Sequence, residues 1–264
     1  MTFDDKVVLI VGASSGMGRI LAQRLAAMGA KVAVTARRQE LLDSLKAEIA
    51  AKGGQCLALA ADATDEAAAA QVVADTVAAF GRIDMVMLNA GGAPALDLRT
   101  IGVSEVKAYM RSNYDVVVNY LFPVLHQMRR QGGGVVAHTN SLAGLFGVPL
   151  QGPYSAAKSA ARMLIDTCRI EFAGENIRFV TVYPGFVSTA VTRNDGMPTP
   201  MEISEDAAVD HILFALRKEK ANYLFPPNIS RMVRLLLILP RRLREWMLLR
   251  DLKATRAASA SAQS

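Results

Sequence analysis

Tyr154 and Lys158 stand four residues apart in Tyr-Ser-Ala-Ala-Lys, so a helix would present a phenol and an ammonium on one face. A phenol of ordinary pKa, about 10, is a poor base near neutrality. An adjacent cation stabilises the phenolate and lowers that value. The spacing alone is common on exposed helices. Here Ser141 lies 13 residues earlier, just after an apolar run of strand character. A chain returning from that strand end to the helix start sets the hydroxyl beside the phenol. Asn113 falls in a long helical stretch, where a buried amide demands partners. The chemistry these types suit is acid–base work on an oxygen.

A second group of residues suits a phosphate-bearing ligand. The first apolar run ends in Gly12-Ala13-Ser14-Ser15-Gly16-Met17-Gly18 and opens into a helical pattern. Glycine is needed where the backbone turns tightly or where a side chain would block a phosphate. Free N–H groups at the helix start then face the anion. The second run ends Thr35-Ala36-Arg37-Arg38. An acid there would bind a ribose 2′-hydroxyl and favour NAD; Ala36 cannot, whereas Arg37 and Arg38 suit a 2′-phosphate, which favours NADP. Asp62, after the third run, suits either an adenine amine or a helix cap. Asn89-Ala90-Gly91 ends the fourth, and Tyr183-Pro184-Gly185-Phe186-Val187-Ser188-Thr189 follows the sixth. The latter supplies a sharp turn and a backbone suited to a nicotinamide amide.

Six strands must carry these groups: Val7–Val11, Val32–Thr35, Cys56–Ala60, Met85–Leu88, Val135–Thr139 and Arg178–Val182. Each is apolar at consecutive positions, the pattern of strands buried on both faces. Helical periods near 17–28, 39–51, 65–79, 104–131 and 154–173 separate them. The alternation predicts an α/β fold, a doubly wound parallel, Rossmann-like sheet in a single domain. Strand carboxyl ends meet at one crevice in such a sheet, so the glycine turn and the later motifs converge. The reading assigns residues 1–227 to this dinucleotide-binding and catalytic domain. Residues 228–264 form a basic, amphipathic, helical C-terminal extension that is not an independent domain, with a frayed Ala-Ser end.

As an ordered set, the glycine turn, Asn89-Ala90-Gly91, Asn113, Ser141, Tyr154/Lys158 and Pro184-Gly185 resemble the short-chain dehydrogenase/reductase family over about residues 5–190. The resemblance implies that Tyr154 is the general acid/base and that Ser141 holds and polarises a carbonyl oxygen. It implies that Lys158 lowers the Tyr154 pKa and binds the nicotinamide ribose. Asn113 would anchor a water in the proton relay, and Val187 and Thr189 would fix the carboxamide. It also implies a homodimer or homotetramer built on the helices near 104–131 and 154–173. Three positions depart from the family pattern. Val11 and Leu88 stand where threonine and asparagine are usual, which puts structural hydrogen bonds in doubt. Asn140 replaces a serine before Ser141 and bears on the substrate side.

Apolar residues make up 52% of the 264-residue chain and charged residues 20%, which excludes a disordered chain. Two cysteines in unrelated contexts, Cys56 and Cys168, exclude a disulfide framework and point to a cytoplasmic, reducing setting. Three scattered histidines offer no metal site. The net charge of +6 is uneven: from Arg217 onward eleven Lys and Arg face three Asp and Glu, a net of +8, leaving −2 for residues 1–216. The loop 142–152 is apolar except for Gln151, and 190–204 reads as a lid with Met197, Met201 and Ile203 beneath it. A small lipophilic ketone or secondary alcohol is the expected substrate. The tail, with Arg231, Arg234 and Trp246 among apolar residues, fits either an interfacial helix on anionic lipid or a helix covering a pocket or subunit contact. A non-catalytic nucleotide sensor or scaffold is the alternative, but it needs only the glycine turn. Nucleic-acid binding is not expected, since the chain offers no aromatic stacking surface.

Overall fold

The computed structural model describes residues 1–188, 199 and 201–261. The chain alternates β1 (Val7–Val11), α1 (Gly16–Ala27), β2 (Lys31–Ala36), α2 (Gln39–Ala51), β3 (Gln55–Ala60), α3 (Glu66–Phe80) and β4 (Met85–Leu88). Next come α4 (Val103–Met110), a π-helical turn (Arg111–Asp115), α5 (Val116–Gln131), β5 (Gly134–Thr139), α6 (Gly152–Glu171) and β6 (Ile177–Pro184). The remainder is β7 (Val187–Ser188), β8 (Ile203–Ser204), α7 (Glu205–Arg217), β9 (Asn222–Phe225), α8 (Pro227–Ile238) and α9 (Arg241–Ser261). Seven parallel strands form one sheet in the order β3-β2-β1-β4-β5-β6-β9.

Alternation within each strand explains the unbroken apolar runs. Val8, Ile10, Met85 and Met87 pack toward α1, α2 and α7, while Leu9, Val11, Val86 and Leu88 pack toward α3, α5 and α6. Every residue of β1 and β4 is therefore buried. The two apolar departures, Val11 and Leu88, sit in this second core at 1% and 2% exposure. Hydrogen bonds at that end of the sheet are made instead by Asn89, which donates to Gly12 O at 3.3 Å and accepts from Thr139 Oγ1 at 2.9 Å.

All six expected strands form, and the chain is a doubly wound α/β domain with a helical C-terminal extension. Three details differ from expectation. A seventh strand, β9, lines the β6 edge, and α7 precedes it. The stretch 104–131 is two helices joined by the π-helical turn, which inserts one extra residue per turn and buries Asn113. The tail helix α9 runs through Ser261 where fraying was expected; alanine has the best helix propensity and serine a moderate one. Thr189, with most of the expected lid including Met197, lies outside the described residues.

Candidate active site

Parallel strands deliver their carboxyl ends to one edge, and strand order reverses between β1 and β4. A cavity of about 740 Å³ opens there. Gly12 forms the floor at the β1 end with φ +87°; a Cβ on it would lie 2.8 Å from Ala90 Cα. A Cβ on Gly18 would lie 2.1 Å from Gly12 O and 2.9 Å from Asn89 Nδ2. These two glycines let α1 and β4 close on the turn. Ser15 is the N-cap of α1 but makes no side-chain cap hydrogen bond, and no acid occupies the first turn. The positive helix end suits an anion, with the Glu205 carboxylate of α7 standing beside Gly16. The glycine cradle therefore fits a dinucleotide pyrophosphate.

Along the same wall, Arg38 donates to Ser14 Oγ at 2.9 Å and Ser15 Oγ at 3.2 Å, and Arg37 also lines the cavity. Asn89, Gly91, Pro184, Gly185 and Val187 line it too, as do Gly16 and Met17. Gly18 and Asn113 stand behind the wall. Asp62 is not brought to the cavity: its carboxylate accepts from Thr64 N–H and hydroxyl, both at 2.9 Å. Those bonds, with Arg37 adding a smaller effect, hold it below the usual carboxylate range. The cap of α3 is Asp65, which accepts from Ala68 N.

On the opposite wall, β5 and the 3-10 turn Leu142–Gly144 set Ser141 against the start of α6. Ser141 and Tyr154 share a hydrogen bond, and Ser141 Oγ also accepts from Ala143 N at 3.1 Å. Lys158 is 3% exposed; its Nζ donates to Thr139 O at 2.9 Å and lies 5.7 Å from the Tyr154 ring centre. Asn113 accepts at Oδ1 from Gly92 N (3.0 Å) and donates to Tyr109 O (3.3 Å) and Ser112 Oγ (3.1 Å). Both its donors are engaged, which leaves one lone pair on Oδ1. A Cβ on Gly91 would meet that oxygen at 2.7 Å and Lys158 Nζ at 3.4 Å.

The electrostatics differ from the sequence expectation. Burial pushes the Tyr154 phenol up to about 12, and the Ser141 bond only partly opposes it. Burial also pulls Lys158 down to about 8. Loss of water dominates both shifts: near neutral pH the phenol stays protonated, and Lys158 stays mainly charged but gives up its proton more readily than an exposed lysine. A protonated phenol is the form that can donate. Behind them His138 is fully buried and held neutral, first by burial and then by Lys158; neither ring nitrogen has a hydrogen-bond partner among the described residues.

The Lys158 shift has a consequence for stability. Its folded value, about 8, lies below the ordinary 10.5, so between these values the unfolded chain binds the extra proton. Stability therefore rises with pH through that window and falls as pH drops toward 8. Wild type is expected to gain on the order of 3 kcal/mol relative to Lys158→Met between these limits. Denaturant unfolding of both proteins from pH 7 to 10 checks this; parallel curves contradict a buried ammonium.

Residues that sequence reasoning did not single out complete the site. Asn140, flagged only as a departure, is a brace: Nδ2 donates to Lys158 O at 2.9 Å and Oδ1 accepts from Ser141 N at 2.8 Å. It ties strand end to helix. The tail lines the cavity with Met232, Val233 and Leu236 from α8 and Met247, Leu248 and Leu252 from α9. The lining positions 247, 248, 251, 252 and 255 fall on one helical face, with Met247, Leu248 and Leu252 apolar and Asp251 and Thr255 polar. Arg256 pairs with Asp97 at 3.2 Å, fastening α9 over the loop after β4. Glu205 brings a carboxylate oxygen 3.4 Å from where a Gly16 Cβ would lie; α7 was not expected, so nothing pointed to it.

Residues 6–198 match the short chain dehydrogenase family, and the chain belongs to it. An uncharacterized oxidoreductase of Listeria monocytogenes is 36% identical over 191 residues, 72% of this chain and 77% of that one. The 3-ketodihydrosphingosine reductase of Bacteroides thetaiotaomicron is 31% identical over 228 residues, 85% of this chain and 81% of its own. Among solved structures, a short chain dehydrogenase/reductase from Burkholderia phymatum in complex with NAD superposes with a TM-score of 0.81. It shares 23% identity and covers 89% of this chain and 93% of that one. The chain is thus a short-chain dehydrogenase/reductase oxidoreductase of a family that uses NAD(P).

Proposed function

We propose that the protein is an NADP(H)-dependent oxidoreductase that interconverts a small lipophilic ketone and its secondary alcohol. The observation that carries this reading is the facing of two groups across one cavity: Ser141, Tyr154 and Lys158 on one wall, Arg38 with Ser14 and Ser15 on the other. When bound, the nicotinamide supplies the hydride; the protein supplies orientation and protons. Ser141 donates a hydrogen bond to the substrate oxygen. Tyr154 Oη gives its proton to that oxygen in reduction and takes it back in oxidation. Lys158, fixed by Thr139 O, stands where a ribose hydroxyl and the phenol would both meet its charge. Asn113 braces the Gly91–Gly92 backbone and offers its remaining lone pair to a relay water.

Arg38 supports NADP over NAD. Its guanidinium and the two serine hydroxyls offer several donors to a 2′-phosphate, and no acid ends β2. Arg38→Ala is expected to weaken NADPH binding ten- to a hundredfold, since a hydrogen bond to a charged group is worth about 1.5–3 kcal/mol. NADH binding is expected to stay within about threefold. Fluorescence titration of both cofactors checks this, and a wild-type preference for NADH would overturn it.

The apolar lining supports a lipophilic substrate: Leu142, Phe146, Val148 and Phe186 join Met232, Val233 and Leu236 of α8 and Met247, Leu248 and Leu252 of α9, with Asp251 the charge that α9 contributes. The relative named as a 3-ketodihydrosphingosine reductase accords with this. A panel of apolar ketones against polar ones, followed by NADPH consumption, is the test. No turnover with any ketone or alcohol would favour the sensor reading. Exposed Val106, Phe122, Met163 and Ile170 on α4–α6 support self-association through these helices.

A further inference from the structure

The C-terminal helices have two apolar faces and only one is covered. On α8, Ile229, Val233 and Leu236 face the protein. Arg231, Arg234, Leu235 and Ile238, spaced i, i+3, i+4 and i+7, face outward, with Leu235 58% and Ile238 78% exposed. On α9, Met247, Leu248 and Leu252 face the cavity, while Arg242, Trp246, Leu249, Arg250 and Lys253 face outward. Trp246 is 57% exposed, with the Arg250 guanidinium 5.5 Å from its ring centre. Two acids border this face: Glu245, paired with Arg241 at 2.6 Å, and Asp251, 4.0 Å from Arg250.

We infer that this outward face of α8 and α9 docks on an anionic lipid surface. Large apolar side chains interleaved with arginine are what an interfacial helix requires: the apolar groups enter the acyl boundary and the cations meet headgroup charges. From Pro227 onward eight Lys and Arg face two acids, a net of +6, and this supplies the charge complementarity. The helices lie on the surface rather than across it, because none among the described residues is long and apolar enough to span a membrane. A second copy of the chain is a poorer occupant. A two-fold contact would set this patch against itself, and its five outward cations would oppose their own copies. The docking stands independently of the reaction assigned above, although the inner faces of the same helices place the cavity directly behind the lipid boundary.

The test uses the full-length protein and its single tryptophan, Trp246. Vesicles of phosphatidylcholine alone and of phosphatidylcholine with phosphatidylserine are compared by sedimentation at about 0.1 M salt. Binding to the anionic vesicles is expected, with a blue shift of Trp246 emission and quenching by brominated acyl chains. Neutral vesicles should bind at least tenfold less. The double variant Arg231→Glu/Arg234→Glu should lose at least tenfold of the partitioning while keeping wild-type melting and NADPH titration, since both side chains are exposed and outside the cavity. Equal binding by that variant, or absence of binding to anionic vesicles, overturns the inference. A blue shift that grows with protein concentration in the absence of lipid also overturns it, in favour of self-association.

Discussion

Tyr154→Phe is expected to cut turnover by about 10²–10⁴, the usual worth of a positioned acid, with NADPH affinity held within about threefold. The substitution removes one oxygen and keeps the ring that packs at the start of α6. Ser141 retains its bond from Ala143 N, and Lys158 keeps Thr139 O, so neither neighbour is freed to take over. Nothing at the glycine turn or at Arg38 touches the phenol, and the cofactor's phosphates have their partners there. The measurement pairs steady-state ketone reduction with a fluorescence titration. Turnover near wild type would mean that the proton comes from elsewhere. Lost cofactor binding would mean that the phenol is a structural support. Because burial pushes the phenol up to about 12, reduction by wild type is also not expected to lose the phenolic proton anywhere near neutral pH.

Gly18→Ala is expected to be as damaging by another route. The added Cβ would sit 2.1 Å from Gly12 O, a backbone atom that cannot swing away. Either α1 retreats from β1 or the Gly12 turn opens, and both spoil the glycine cradle. Overpacking a tight core typically costs about 1–3 kcal/mol; a clash with backbone belongs at the top of that range. NADPH affinity should fall at least tenfold with it. Gly174→Ala is the control, since a Cβ there meets nothing within 4 Å and stability should stay within about 0.5 kcal/mol. Chemical denaturation and cofactor titration of the two variants check the contrast, and equal behaviour would contradict the packing assigned to the turn.

Much of this was legible because strands buried on both faces and a glycine turn leave strong local marks. Val7–Val11, Met85–Leu88 and the turn after β1 each read directly. The sheet edge read poorly: β9 is four residues, Asn222–Phe225, and its apolar run Tyr223–Phe225 is too short and too exposed to announce a strand. Helix α7 has a Ser204 cap that accepts from Ala207 N and an amphipathic period, but it lies between two stretches read as lid and tail. The π-helical turn was read through because no Gly or Pro at its ends marks a break within 104–131, although one added residue shifts the apolar phase. Site residues of sequence-distant origin read as types, not as contacts. Ser141, Tyr154 and Lys158 were nameable, whereas the Asn140 brace and the α9 lining depend on tertiary packing. The Tyr154 and Lys158 values could not be read at all, because the sign depends on how far burial outweighs charge.

The most direct measurement is a crystal structure of the complex with NADPH and a ketone taken from the active panel. The account expects the 2′-phosphate on Arg38 beside Ser14 and Ser15. It expects the ketone oxygen within about 2.6–3.2 Å of both Tyr154 Oη and Ser141 Oγ, with the apolar body against α8 and α9. A ketone oxygen turned away from Tyr154 while the complex still reacts, or a nicotinamide that does not enter between Tyr154 and Pro184, would contradict it.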